Sequence, residues 1–240
     1  MSRQRLQKVL AEAGVASRRK CEQLILDGQV RVNRQVVDKL PVFVDAEKDS
    51  ITVDGRKIRP AKKVYYLFNK PKGVVCTNSD PGGRKKAIDM IPSGERIFCA
   101  GRLDMDSTGL IILTNDNELT NVLTHPRYVL SKSYVATVDG KIDSGQVERL
   151  KKGVWLAEGK TAGSAVKIVH NSYKQSVLEI TIRQGLNRQV RRMLAKVGLK
   201  VRLLKRTQIG KLTIRGLGEG KYRHLAQPEV AYLNGIKKQK

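Results

Sequence analysis

The chain has 240 residues, 40% of them hydrophobic, enough for one substantial core and a second small one. Forty-seven Lys and Arg against 22 Asp and Glu give a formal charge of +25, a field that draws polyanions and makes nucleic acid the expected partner. The apolar content excludes a disordered tail, no run reaches the ~20 apolar residues of a membrane span, and Cys21, Cys76 and Cys99 lack the spacing of a disulfide or zinc framework and read as reduced packing residues.

No apolar leader precedes Met1-Ser2-Arg3-Gln4-Arg5, so a cytoplasmic protein without membrane association is expected. Leu6, Val9, Leu10 and Ala13 recur at helical spacing and predict a short amphipathic helix stopped by Gly14. Ser17 is the candidate cap of a second helix, with Cys21, Leu24 and Ile25 as its apolar stripe and Gly28 at its end. Arg18, Arg19 and Lys20 then fall in its exposed first turn, where cations oppose the helix dipole, so an external anion explains them better than helix stability does. Val30 and Val32 alternate with Arg31 and Asn33 as in a half-buried strand, and Ile51-Thr52-Val53 runs into the turn signal Asp54-Gly55. Arg59-Pro60-Ala61-Lys62-Lys63 reads as a linker, dividing the chain into domains 1–62 and 63–240.

Three segments of the first domain, Arg5 to Leu10, Ala13 to Arg19 and Gly28 to Asn33, resemble the small RNA-binding domain shared with ribosomal protein S-four. The resemblance implies that Arg5, Lys8, Arg18, Arg19, Lys20 and Arg31 face folded RNA. One departure is Arg34, where that domain often has Gly after the Asn to make a tight turn.

In the second domain Val64 to Phe68 predicts an apolar strand, followed by Asn69-Lys70-Pro71-Lys72-Gly73 and a basic, Gly-rich loop over 80–86 suited to phosphate contact. No Gly-x-x-x-x-Gly-Lys-Ser/Thr is present, so nucleotide-triphosphate use has no support. The most informative segment is 101–116. A turn bearing Asp104 and Asp106 feeds the run Leu110-Ile111-Ile112-Leu113, a predicted buried strand that would hold the turn rigidly. Asp104-x-Asp106-x-Thr108-Gly109 also resembles the opening of a calcium loop, but Asn115 stands where the bidentate Glu is needed. Tyr134 to Val138 alternates as a strand, while Val190, Met193, Leu194 and Val197 form one face of a helix that Asn187 would cap and Gly198 would end. Arg188, Arg191 and Arg192 occupy another face. Segments 203–210 and 216–223 read as strands and turns of the same sheet, with Ile209, Leu212 and Leu217 inward, Lys205, Arg206 and Arg223 adding positive potential, and 237–240 as a frayed basic tail.

Residues 101–116 closely resemble the catalytic segment of pseudouridine synthases of the RsuA/RluB branch, in which Gly-Arg-Leu-Asp carries the reacting aspartate. Asn69 to Gly73, Lys132-Ser133-Tyr134 and Asn187 to Met193 match further motifs of that branch in the same order. A change from the family pattern is Asn117, where Gly is common and where left-handed geometry is expected to be kept. The resemblance implies an α+β protein, with a mixed, mainly antiparallel catalytic sheet flanked by helices, that isomerises a uridine of ribosomal RNA, preferably of the large subunit. Asp104 would be the catalytic carboxylate, acting either as nucleophile at C1′ or as base at the adjacent sugar carbon, with Arg191 as the guanidinium that holds it ionised. Tyr134 would stack on the extruded uracil, and Arg102 would fill the vacated space or bind a phosphate. No cofactor or metal is required for a redox-neutral isomerisation, and a monomer is expected. Two rivals stand beside this: a noncatalytic RNA-binding ribosome-assembly factor, and a metal-dependent nuclease using Asp104 and Asp106.

Overall fold

The computed structural model describes residues 3–236, so the basic tail at 237–240 lies outside the described residues. The chain forms two compact units, one of residues Met1–Val64 with two short later segments and one of most of the remainder. The first contains β1 (Gln4–Arg5), α1 (Leu6–Glu12), α2 (Arg18–Leu26), β2 (Val30–Val32), β3 (Gln35–Val37), β4 (Phe43–Val44), β5 (Ile51–Val53) and β6 (Arg56–Lys57). The predicted stripes become its core: Leu6, Leu10, Cys21, Ile25, Val30 and Ile51 are buried together. Ser17 caps α2 through its hydroxyl, which accepts from the Lys20 amide at 3.3 Å.

The strands β3-β2-β5-β6 make an antiparallel sheet. Its hairpin β2–β3 turns on Asn33 and Arg34 at φ 51° and 71°, so Arg34 adopts the left-handed backbone that Gly would take at no steric cost.

The second unit carries β7 (Tyr65–Lys70), β8 (Phe98–Cys99), β9 (Thr108–Thr114), α3 (Asn117–Thr124), β10 (Lys132–Asp139), α4 (Ser144–Lys152), β11 (Trp155–Leu156) and β12 (Gly159–Lys160). It continues through β13 (Ala165–Asn171), β14 (Gln175–Ile182), α5 (Gln189–Lys196), β15 (Val201–Ile209), β16 (Leu212–Thr213), β17 (Tyr222–His224) and α6 (Gln227–Asn234). Its main sheet runs β13-β14-β10-β15-β9-β7-β17, with β16 on β15 and β8 on β9. All pairs are antiparallel except β9 with β15, which makes the fold α+β with a mixed, mainly antiparallel sheet.

The run Leu110 to Leu113 is buried on both faces of β9, which is why it reads as continuous rather than alternating hydrophobicity. Ile209, Leu212 and the partly buried Leu217 join Leu110, Ile112 and Leu119 in one core cluster. Asn117 opens α3 and is not among the left-handed residues, contrary to the expectation of kept left-handed geometry; the chain enters a helix there directly.

Candidate active site

The site is built on one cross-strand row. Register places Ile180 of β14 opposite Tyr134 of β10, Tyr134 opposite Arg206 of β15, Arg206 opposite Gly109 of β9, and Gly109 opposite Lys70 of β7. Directly opposed residues share a sheet face, so Tyr134, Arg206 and Lys70 face the same way. Gly109 is the close-approach point of that row: at φ +104°, an added Cβ would lie 2.2 Å from the Arg206 carbonyl oxygen. Arg206 is buried, and its Nε donates to the Leu110 carbonyl at 2.6 Å. It is therefore part of the site rather than a surface cation; β-strand alternation with the buried Leu204 carried that signal.

The turn that carries Asp104 is held from below by the Asn69-Lys70-Pro71-Lys72-Gly73 segment. Lys70 is fully buried and its ammonium donates to the Pro71 and Val74 carbonyls at 3.0 and 2.8 Å, closing the turn on itself. Gly73 at φ +82° then donates its amide to the Met105 carbonyl at 2.8 Å, and the Cys76 sulfur accepts from the Leu103 amide at 3.5 Å. Burial pushes the Lys70 ammonium below the ordinary lysine range, against the opposing pull of Cys76 and Asp106. Interaction with Cys99 pulls the Cys76 thiol below the ordinary range despite burial, and the same interaction and burial push Cys99 above it. All three cysteines are free thiols, and Cys76 lies against the Asp104 turn through its contact with the Leu103 amide.

Asp104 lies at the edge of a cavity of about 290 Å³, together with Arg102, Lys132, Tyr134, Arg188 and Arg206. Its side chain is 26% exposed, and its Oδ2 meets the Arg188 guanidinium at 3.2 Å. The expected partner, Arg191, instead clamps the turn one step further on. Its Nη2 reaches Asp106 Oδ2 at 3.2 Å, donates to the Asp106 carbonyl at 3.0 Å and lies 3.4 Å from the Ser107 hydroxyl.

The reason for the exchange is local. Arg188 precedes α5 in left-handed conformation, φ 47°, with no side-chain cap, so Asn187 does not cap the helix and Arg188 swings toward both carboxylates. Burial raises the Asp106 carboxyl, but the Arg188 hydrogen bond and the charges of Arg191 and Arg188 outweigh it and leave the group below its ordinary value.

Tyr134 is buried at the cavity wall, and Lys132, two residues earlier on the same face, is pushed down to about 8 by burial and then by the charge of Arg206. The Lys132 ammonium donates to the Leu130 carbonyl at 3.3 Å. Arg102 is exposed at the rim. In the first unit Arg5, Arg18, Arg19, Lys20 and Arg31 are exposed, whereas Lys8 is half-buried and lies 3.7 Å from Glu12. Among the described residues no group of three or more His, Cys, Asp or Glu is arranged to hold a metal. Both turn carboxylates are engaged by arginines.

A carboxylate held by guanidinium beside a buried tyrosine, over a mixed sheet, places the molecule among known folds. Residues 64–196 match the RNA pseudouridylate synthase family and residues 4–51 match the S4 domain. The chain belongs to the RNA pseudouridylate synthase family and is an RNA pseudouridine synthase, an isomerase. It is 44% identical to the ribosomal large subunit pseudouridine synthase B of Bacillus subtilis (strain 168), over 97% of this chain and 96% of that protein. It is 45% identical to an uncharacterized RNA pseudouridine synthase of Aquifex aeolicus (strain VF5), over 95% of this chain and 93% of that protein. A crystal structure of a pseudouridylate synthase superposes with a TM-score of 0.70 at 28% identity, covering 95% of this chain and 99% of the other.

Proposed function

We propose that this protein converts a uridine of large-subunit ribosomal RNA to pseudouridine in the cytoplasm, with Asp104 as the reacting carboxylate. The observation that carries the assignment is the Arg188–Asp104 pair at 3.2 Å on the rim of a cavity walled by Tyr134. The choice of RNA rests on the Bacillus subtilis relative named for the large ribosomal subunit, whose length this chain spans nearly completely.

The reaction breaks the uridine N1–C1′ bond, turns the base, joins C5 to C1′, and moves the C5 proton away while N1 gains one. Asp104 starts it at the sugar. Its neighbour Arg188, 3.2 Å away, holds the carboxylate in position at the cavity. Tyr134 stacks on the extruded uracil, worth roughly 1–3 kcal/mol, comparable with the few kcal/mol that extrusion costs. Arg102 at the rim holds a neighbouring phosphate or fills the emptied stack.

Because the C5 hydrogen must leave, RNA tritiated at uridine C5 releases its label only as the product forms. Wild-type protein should release label from a large-subunit ribosomal RNA transcript, and Asp104→Asn should lose on the order of 10³-fold or more in rate with nearly unchanged RNA affinity. Release by Asp104→Asn within tenfold of wild type would remove the aspartate from the mechanism; release from small-subunit RNA alone would move the substrate.

A further inference from the structure

The chain has a single tryptophan, and it stands in water. Trp155 is 67% exposed on the two-stranded hairpin β11–β12. An indole offers some 150–250 Å² for burial, and a bare two-stranded hairpin is marginal by itself, so most of this ring is left unused by the unit's own packing.

Yet the hairpin is firmly held. Arg192 of α5 grips the Glu158 carboxylate with both terminal nitrogens, Nη1 at 2.8 Å from Oε1. At its root Thr161 donates its amide to the Val154 carbonyl at 2.9 Å and accepts the Val154 amide on its hydroxyl at 3.0 Å. A relay then runs inward: the Ala162 amide and the Gln189 side chain both donate to Gln184 Oε1, at 2.9 and 3.2 Å, and Gln189 Oε1 accepts from the Leu186 amide at 3.1 Å. Leu186 and Gln189 line the cavity that contains Asp104. One helix region therefore positions the reacting carboxylate through Arg188 and the tryptophan hairpin through Arg192.

The chemistry around the indole selects its partner. Lys160 lies directly opposite Trp155 across the hairpin, and the exposed Lys152 ends the preceding helix α4, where Lys151 is paired with Glu148 at 2.9 Å. An aromatic face beside cations fits an unpaired nucleobase and its phosphates, whereas an apolar protein surface gains nothing from the lysines. We propose that Trp155 is a base-stacking platform for an unpaired nucleotide of the substrate RNA outside the reaction cavity, with Lys160 meeting the adjoining phosphate. The proposal rests on the assignment of RNA as substrate.

Because Trp155 is the chain's only tryptophan, its emission reports this site alone. Titration with the large-subunit ribosomal RNA transcript should quench that emission, and a mixed-sequence single-stranded oligoribonucleotide should quench it more than the same sequence as duplex. Trp155→Ala should weaken transcript binding about 10- to 100-fold and Trp155→Phe by no more than about threefold, both with wild-type melting behaviour and an unchanged single-turnover rate at saturating RNA. Unquenched emission from bound protein, or wild-type affinity in Trp155→Ala, overturns the platform. So does a Trp155→Ala effect confined to self-association in sedimentation, which would assign the indole to a second copy of the chain. Tritium release by wild-type protein on the same transcript reads the reaction independently: a quenched indole without release refutes the substrate assignment while supporting the platform.

Discussion

Lys132 is a charge that the folded protein carries at a cost. Its pKa falls from the ordinary 10.5 to about 8 because burial and Arg206 both disfavour the ammonium. A lysine depressed on folding destabilises fully below its folded pKa, and the unfolded chain holds the extra proton between about 8 and 10.5, so stability is regained as pH rises through that window. Lys132→Met should therefore be more stable than wild type at pH 7, by about 3 kcal/mol at most, with the gap narrowing by pH 10 in urea titrations. A gap independent of pH would mean that Lys132 is not held as a destabilised cation at the cavity wall. The residue types of the site were legible from the Gly-Arg-Leu-Asp and Lys-x-Tyr patterns, but their pairing was not. Arg188 and Arg191 lie three apart around the start of one helix, and which of them meets Asp104 depends on the left-handed backbone at Arg188 and on Asp106 occupying Arg191. No periodicity records either.

At the scale of elements, the parallel contact of β9 with β15 is what brings Asp104 and the Arg206–Tyr134 row to one cavity, and Gly109 is what permits it. Gly109→Ala places a methyl carbon inside the Arg206 backbone at a φ that L-residues avoid, so it should cost roughly 2–5 kcal/mol and lower the melting temperature by several degrees. Activity should fall with it, since the displaced strand carries the turn. A variant that melts with wild type would contradict the close approach. Strand β9 itself was plain from Leu110 to Leu113, whereas its partner was not: a parallel neighbour nearly a hundred residues away leaves no mark on local pattern, and Gly109 reads in sequence as part of a turn. Helix α2 was legible because its stripe is bounded by Ser17 and Gly28, whereas α4, capped by Asp143 and ended by Gly153, was not read from the sequence.

For the whole molecule, the +25 charge predicts binding that weakens steeply with salt, because each phosphate neutralised releases condensed counterions. Composition made this legible at once, and the structure adds where some of the charge is free to act. Arg18, Arg19 and Lys20 are exposed in the first turn of α2, with no acidic side chain paired to them among the described residues. Because cations there oppose the helix dipole, removing them should leave the first unit at least as stable in the absence of RNA. Replacing all three by Ala should then reduce the slope of log Kd against log salt by about 2–3, near 0.7–0.9 for each phosphate no longer neutralised, while the rate of tritium release at saturating RNA stays at the wild-type level. An unchanged slope would assign the phosphate-binding charge to other Lys and Arg of the chain, and a lost rate at saturation would mean that these side chains position the uridine rather than merely hold the RNA.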